Sequence, residues 1–191
     1  MSEFDDATHL NDDGAGEIHS GWDINGNANG GYLLALAARH LRAVSGRPDP
    51  VSITGHYLAP GKPGPMQVDA SVVKAGRRFA TVSGQMHAAG RPLLQLVGAF
   101  GDLSQPGSGY EHLASGPPEL PPFAACVPRS RRQGQVEVAM MDRLEVRIHP
   151  DHAGWVHNDR NGVAGMAGWF GFADGRAVDT LALLMVCDAF P

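Results

Sequence analysis

Asn29-Gly30-Gly31-Tyr32-Leu33-Leu34-Ala35-Leu36-Ala37-Ala38-Arg39-His40-Leu41 is the stretch around which the chain is built. From Tyr32 onward it is rich in Leu and Ala, strong helix formers, and reads as a helix of at least ten residues. Apolar residues cover much of its circumference and the first charge, Arg39, arrives only in its last turns. A helix apolar nearly all round is buried rather than laid on a surface. Asn29 is placed to cap its start, and the two glycines let another backbone or a ligand approach the first turn. Gly46 and the prolines at 48 and 50 end it.

The chain from Val51 to Phe100 reads as strand. Val51–Leu58 alternates Val51 and Ile53 against Ser52 and Thr54, and Met66–Lys74 puts Met66, Val68, Ala70 and Val72 on one face. Phe79–Met86 and Leu93–Phe100 continue the pattern, and turns rich in Gly and Pro separate the four runs. This predicts a meander, and with the buried helix an α+β architecture in which an antiparallel sheet wraps around a helix. Before the helix, residues 1–17 are acidic and polar and are expected to form an arm or a loosely docked turn. Ile18–Ile24, around Trp22, is expected to be a first strand.

From Ser104 to about Gln135 the composition turns rich in Pro and Gly, with Pro106, Pro117, Pro118, Pro121, Pro122 and Pro128, as in a surface linker. Val136–Ile148 and Gly162–Phe172 then read as strands, and Asp179 is placed to cap a second apolar helix over Thr180–Phe190. Strand, loop and buried helix thus occur twice, which points to an internal repeat. The expected organisation is an arm (1–17), a first repeat (18–103), a linker (104–135) and a partial second repeat (136–191). By internal symmetry roughly 60 residues of sheet would follow the second helix.

Composition excludes several classes. The 191 residues carry 43% hydrophobic and 18% charged side chains and a net charge of −5, with no long basic stripe, so nucleic acid is not an expected partner. The longest apolar run, Leu181–Cys187, is too short to span a bilayer, and the acidic start does not read as a signal peptide. Cys126 and Cys187 form no CxxC pair, which indicates neither a disulfide framework nor a zinc site; a cytoplasmic location is expected.

Asn25-Gly26, Asn29-Gly30-Gly31-Tyr32-Leu33-Leu34, His56-Tyr57-Leu58-Ala59-Pro60, Gly76-Arg77-Arg78 and Ala99-Phe100-Gly101 resemble the first repeat of double-hotdog acyl-CoA thioesterases. Gly168-Trp169-Phe170, Asp174-Gly175-Arg176 and Leu183-Leu184-Met185-Val186-Cys187-Asp188-Ala189-Phe190-Pro191 resemble the second. The resemblance implies two hotdog repeats, here with the second incomplete, and hydrolysis of acyl-CoA without metal or organic cofactor. It implies a carboxylate on the second helix that positions or activates water, matched by Asp188, helped by a Thr and a Gln whose matching positions would lie beyond Pro191. It also implies homo-oligomers built through sheet edges.

Asp188 stands out on physical grounds too, because a carboxylate within an apolar helix is costly unless hydrogen-bonded or working, and burial would raise its pKa towards that of a base; the alternative is a carboxylate at an exposed helix end, with only Ala189, Phe190 and Pro191 after it. The N–H groups of Gly30 and Gly31 are placed to polarise a thioester carbonyl, and Asn29, His56 and Tyr57 complete the candidate substrate-binding set. Leu34, Leu184 and Phe190 are expected to line an acyl tunnel, and Arg129, Arg131 and Arg132 are candidates for coenzyme A phosphates. Cys187 reads as buried packing. His149, Asp151, His152 and His157 cluster without zinc spacing and read as a solvated turn. No Gly-x-Ser-x-Gly occurs. The alternatives are a non-catalytic acyl-CoA-binding or structural hotdog protein, or a hydratase using Asp23 with His19 or His56.

Overall fold

A computed structural model describes residues 2–105, 112–133, 135–154 and 165–190. The N-terminal residues form α1 (Glu3–Ala7), begun by the Ser2 side chain accepting from the Asp5 N–H, and then β1 (Ala15–Ile18). β2 (Asp23–Ile24) and β3 (Asn27–Ala28) pair across Asn25-Gly26. Both turn residues have positive φ, 50° and 71°, which is why Asn-Gly is favoured in a two-residue hairpin loop.

The Leu/Ala-rich stretch folds into α2 (Gly30–Ser45), sixteen residues that start at Asn29 and stop at a left-handed Gly46. β4 (Asp49–Tyr57), β5 (Gly64–Ala75), β6 (Ala80–Ala88) and β7 (Arg91–Gly101) come next. The five-stranded antiparallel sheet has the order β1-β5-β6-β7-β4. Only β5, β6 and β7 form the predicted meander. β4 pairs with β7, from Asp49↔Gly101 to Tyr57↔Leu94, instead of with its sequence neighbour β5. The Pro-rich connection after β4 crosses past β7 and β6 to β5, beside β1, and is not a hairpin turn. Pro50 is accommodated because β4 is an edge strand with a register shift between Pro50 and Ser52. α2 packs on one face of this sheet, burying Leu33, Leu36 and Leu41 against Val68, Val82, Met86 and Leu96.

The second half is smaller. β8 (Val127–Pro128), β9 (Arg132–Gln133) and β10 (Val136–Glu137) are short, and β11 (Leu144–Ile148) and β12 (Gly168–Phe172) pair antiparallel along their length. β8 joins them in a three-stranded sheet, so the stretch expected as a linker contributes to the second repeat. The strand expected over 136–148 is interrupted by a 3₁₀ turn at Ala139–Asp142. Gly162 and the start of its expected strand, His157, Pro106 and Pro191 lie outside the described residues. α3 (Thr180–Val186) is capped by Asp179, whose side chain accepts from the Ala182 N–H. It is shorter than expected: the Asp188 and Ala189 N–H groups donate three residues back, to Met185 and Val186, closing the helix in a tight last turn. Cys187 is therefore exposed, not buried. Among the described residues no helix is long and apolar enough to cross a membrane.

The N-terminal residues are not a loose arm. Phe4 is 1% exposed and sits between Trp22 of the first half and Phe172 of the second, with ring centroids 5.7 and 5.0 Å away. Asp5 accepts two hydrogen bonds from Arg176 and one from Arg39, so the same turn pins α2 to the segment ahead of α3. Tyr32, buried and stacked on Trp22, donates to the Ala7 carbonyl and accepts from the His19 N–H. Strand β1 also begins earlier than the run expected at 18–24, because its edge is taken by Gln67, Met66, Pro65 and Gly64 of β5. The acidic composition of this arm hid one aromatic anchor and one bridging carboxylate.

Both anchors can be tested by substitution. Phe4→Ala should lower unfolding free energy by about 3–5 kcal/mol in a denaturant titration, the usual cost of emptying a buried aromatic site. The Arg176 guanidinium holds the Asp5 carboxyl well below the usual carboxylate range. A depressed folded-state pKa contributes stability above the ordinary value of about 3.9 and loses it as pH falls towards the folded value. Stability of the parent should therefore fall more steeply on acidification below about pH 5 than that of Asp5→Asn.

Candidate active site

The N-terminus of α2 is where the two halves meet most closely. Gly31 has no side chain to keep them apart: a Cβ there would lie 2.9 Å from the Leu184 and Met185 carbonyl oxygens and 3.0 Å from Asp188 Cβ. A Cβ on Gly30 would meet Asp188 Oδ2 at 3.1 Å and the Tyr57 ring and hydroxyl at 3.2 Å. The glycines thus serve the approach of α3 as well as any ligand.

Into this contact projects Asp188. Its Oδ2 accepts from the Gly31 N–H at 3.1 Å and from Asn29 Nδ2 at 2.7 Å, and Asn29 Nδ2 also donates to the Asp188 carbonyl at 3.1 Å. Asn29 is 3% exposed and uses both ends of its amide, because Oδ1 caps α2 by accepting from the Tyr32 N–H at 2.9 Å. Within the first turn, the Leu33 N–H donates to the Asn29 carbonyl. Gly30 N–H is left without a protein acceptor among the described residues. Asp188 Oδ1 likewise accepts no hydrogen bond from them.

Asp188 is exposed, as in the alternative of a carboxylate at a helix end, and not buried within the helix. It leaves α3 in the closing turn, and Ala189, fully buried, takes the inward position instead. The carboxylate is held by hydrogen bonds and by the positive end of α2, not by an apolar cage. Arg129, just after β8, donates from Nη1 to the Ala189 carbonyl and lies close enough to feel the Asp188 charge. Its guanidinium is partly buried, and that burial pulls its pKa down while Asp188 pulls it back up.

Tyr57 donates from its hydroxyl to the Gly30 carbonyl at 2.7 Å. Its pKa is pushed up to about 12, first by burial and then by the Asp188 charge, so it stays a donor at neutral pH. His56 is exposed and, one residue earlier on the same strand, faces the opposite side of the sheet. The structure therefore brings Asn29, Gly30, Gly31, Tyr57 and Asp188 together and leaves His56 apart. A cleft of about 500 Å³ opens beside them, lined by Gly30, Leu33, Tyr57, Leu58, Ala59 and Pro60 among others. The expected tunnel residues Leu34, Leu184 and Phe190 are instead half-buried against the core and do not line it.

Other candidates separate from the site. Arg131 pairs with Glu137 and Asp142, and the side chain of Arg132 lies outside the described structure. Asp23 accepts from the Gly21 and Gly26 N–H groups and so organises its own turn. His149 Nδ1 accepts from the Asp151 N–H and His152 Nδ1 from the Ala167 N–H. Among the described residues no group of His, Cys, Asp and Glu is arranged to hold a metal. Sequence reasoning missed Arg129 as a neighbour of Asp188, placing it in a linker as a candidate for coenzyme A phosphates. No local signal pointed to the pairing, which spans 60 residues.

Known proteins carry the same arrangement of segments. A family model described as the acyl-CoA thioesterase N-terminal domain matches residues 18–101, and one described as the acyl-CoA thioesterase C-terminal domain matches residues 121–191. A crystal structure of a candidate thioesterase II from Thermobifida fusca YX superposes with a TM-score of 0.84 at 28% identity, covering all of this chain and 73% of that one. A hot-dog-fold protein of unknown function from Alicyclobacillus acidocaldarius shares the fold, with a TM-score of 0.85 at 23% identity over all of this chain and 70% of its own. Uncharacterised proteins of Mycobacterium bovis and Mycobacterium tuberculosis are 28% identical over 93 residues, 46% of this chain. That match spans 32% of the length of these curated relatives.

The packing at Gly31 is directly testable. Gly31→Ala places a Cβ against two backbone carbonyls that cannot rotate away, whereas Gly30→Ala meets side-chain ends that can. Gly31→Ala should therefore lower Tm and raise susceptibility of the 187–190 turn to proteolysis, with a smaller effect from Gly30→Ala. Asn29→Ala removes the α2 cap and a hydrogen bond to a carboxylate together, an expected loss of about 2–4 kcal/mol by denaturant titration.

Proposed function

The chain belongs to the double-hotdog acyl-CoA thioesterase family, and on that footing we propose that it hydrolyses acyl-CoA to fatty acid and CoA through a water activated by Asp188. The observation that carries this reading is the Asp188 carboxylate seated on the N-terminus of α2, with Oδ2 fixed by Gly31 and Asn29 and Oδ1 accepting from no described residue, next to Gly30 and Tyr57, which line a cleft. Fixing one oxygen orients the other, which is what a general base requires of its support.

The chemistry can be followed atom by atom. The thioester enters the cleft with its carbonyl oxygen towards the Gly30 N–H, at the positive end of a sixteen-residue helix. Water hydrogen-bonded to Asp188 Oδ1 attacks the carbonyl carbon and gives its proton to the carboxylate. The carbonyl π electrons move to oxygen, where the N–H and the helix dipole stabilise the developing charge. Collapse of the tetrahedral species breaks the C–S bond. The CoA sulfur leaves with that electron pair and takes up the proton from Asp188, a modest demand because a thiol ionises near about pH 8.5. Tyr57 holds the Gly30 carbonyl, fixing the peptide that precedes the Gly31 N–H. No step calls for a metal or an organic cofactor.

A second reading is favoured by one observation. Asn29 and Gly31 both donate to Asp188, so the same contact can act as a staple between the two repeats in a non-catalytic acyl-CoA-binding protein.

Thiol release from a panel of acyl-CoA esters separates the readings. Asp188→Asn keeps the size and one acceptor oxygen but cannot take a proton. For the hydrolase it should lower kcat by about 10²–10⁴-fold with little change in acyl-CoA binding. Turnover equal in parent and variant would remove Asp188 from the chemistry. Binding of acyl-CoA without turnover by the parent would establish the second reading.

A further inference from the structure

At the opposite end of α2 lies a second cavity, of about 590 Å³, lined by Arg47, Arg77, Arg78, Phe79, Asp102 and Leu103, with Gln105 at its margin. Its size falls within the usual span of small-ligand sites, about 300–1,000 Å³. The rise of an α-helix puts the two ends of α2 roughly 22 Å apart, so this cavity is separate from the Asp188 cleft.

The cavity is built from three segments. Arg47 follows the Gly46 cap of α2 and donates from Nη2 to the Gly76 and Arg77 carbonyls, both at 3.1 Å, which clamps the β5–β6 turn. That turn presents Arg77, Arg78 and Phe79, all exposed. The third segment, after β7, supplies Asp102, whose carboxylate accepts from the Ser104 N–H and hydroxyl and from Gln105 Nε2. The nearby Asp49 is also engaged, accepting from the Leu103 N–H and the Thr180 hydroxyl. Both acids are thus engaged by N–H, hydroxyl and amide donors, while Arg77 and Arg78 pair with no acid among the described residues. Phe79 is 51% exposed, and its ring lies over Gly101, where a Cβ would come within 3.0 Å of it.

A concave site with unpaired guanidinium groups around an exposed aromatic ring suits a ligand with two parts, an anion and a flat ring. Guanidinium matches phosphate oxygens in bidentate geometry, and a base stacks on an aromatic face. We propose that the Arg47, Arg77, Arg78 and Phe79 cavity binds a nucleotide phosphate, with the phosphate on Arg77 and Arg78 and the base against Phe79. The chemistry is shared by a free nucleotide and by the nucleotide end of coenzyme A. The cavity shares no lining residue with the Asp188 cleft.

The test is calorimetric titration of the whole chain with ADP, adenosine 3′,5′-bisphosphate and inorganic phosphate. Saturable binding of the nucleotides is expected, with affinity reduced about tenfold or more in each of Arg77→Ala and Arg78→Ala, the usual effect of losing a charge-assisted hydrogen bond. Phe79→Ala should weaken both nucleotides and leave inorganic phosphate unchanged. The three side chains are exposed, so unchanged Tm in each variant shows that folding is not the cause. CoA that displaces ADP identifies the nucleotide end of CoA as the occupant, and CoA that binds alongside ADP identifies a free nucleotide. Absence of saturable nucleotide binding, or binding unaffected by both arginine substitutions, overturns the site. Asp188→Asn should bind ADP as the parent does, so loss of nucleotide binding and loss of thiol release are read separately. A parent that binds ADP but releases no thiol counts against the hydrolase reading alone.

Discussion

The arrangement depends on one contact, the seating of the closing turn of α3 on the first turn of α2. It requires a position without a side chain, because the Leu184 and Met185 carbonyls come within van der Waals distance of where a Gly31 Cβ would be. Once that approach is allowed, the Gly31 N–H of α2 donates to Oδ2 of Asp188, while the Gly30 N–H and Oδ1 take no partner among the described residues. Each half supplies what the other lacks: the first has a helix with open N–H groups in its first turn and no acid of its own, the second an acid at the end of a short helix. The site exists only where they join.

The rest of the fold holds this joint in register. α2 is fixed laterally by the five-stranded sheet and axially by Asn29, whose single amide both caps the helix and grips Asp188. Arg129 ties the far side of the turn through the Ala189 carbonyl. At a distance, Phe4, Trp22 and Phe172 form an aromatic wedge between the halves, and Asp5 joins Arg39 of α2 to Arg176 ahead of α3. Hydrogen bonds set the carboxylate's direction, while apolar packing sets the distance between the elements that carry it. The edge position of β4 matters in the same way, since it brings Tyr57 over Gly30.

Much of the site was legible because it obeys local rules. Asn29-Gly30-Gly31 reads as a cap and a permissive first turn whatever the fold, and an acid in an otherwise apolar run marks Asp188. The exposure of Asp188 was legible as one of two alternatives, because apolar content alone does not say where a helix stops; the tight last turn does. His56 and Tyr57 are equivalent as letters, and only the facing of β4 separates them. Arg129 in a Pro-rich stretch, and Phe4 among acids, look solvated until a partner distant in sequence covers them.

The elements are written in the chain itself: a buried Leu/Ala helix, strands of period two, Gly and Pro turns, and the repetition of this pattern with a single acid at the end of its second apolar run. They arise from backbone propensity and hydrophobic periodicity, which act over a few residues. Three outcomes belong to the tertiary structure alone. β4 crosses to the far edge beside β7, the acidic N-terminus wedges between the halves, and Asp188 serves the helix of the other repeat. Each depends on which surfaces bury one another and which polar groups find partners far along the chain, across more than a hundred residues for Asp5 and Asp188, and no local spacing encodes that choice.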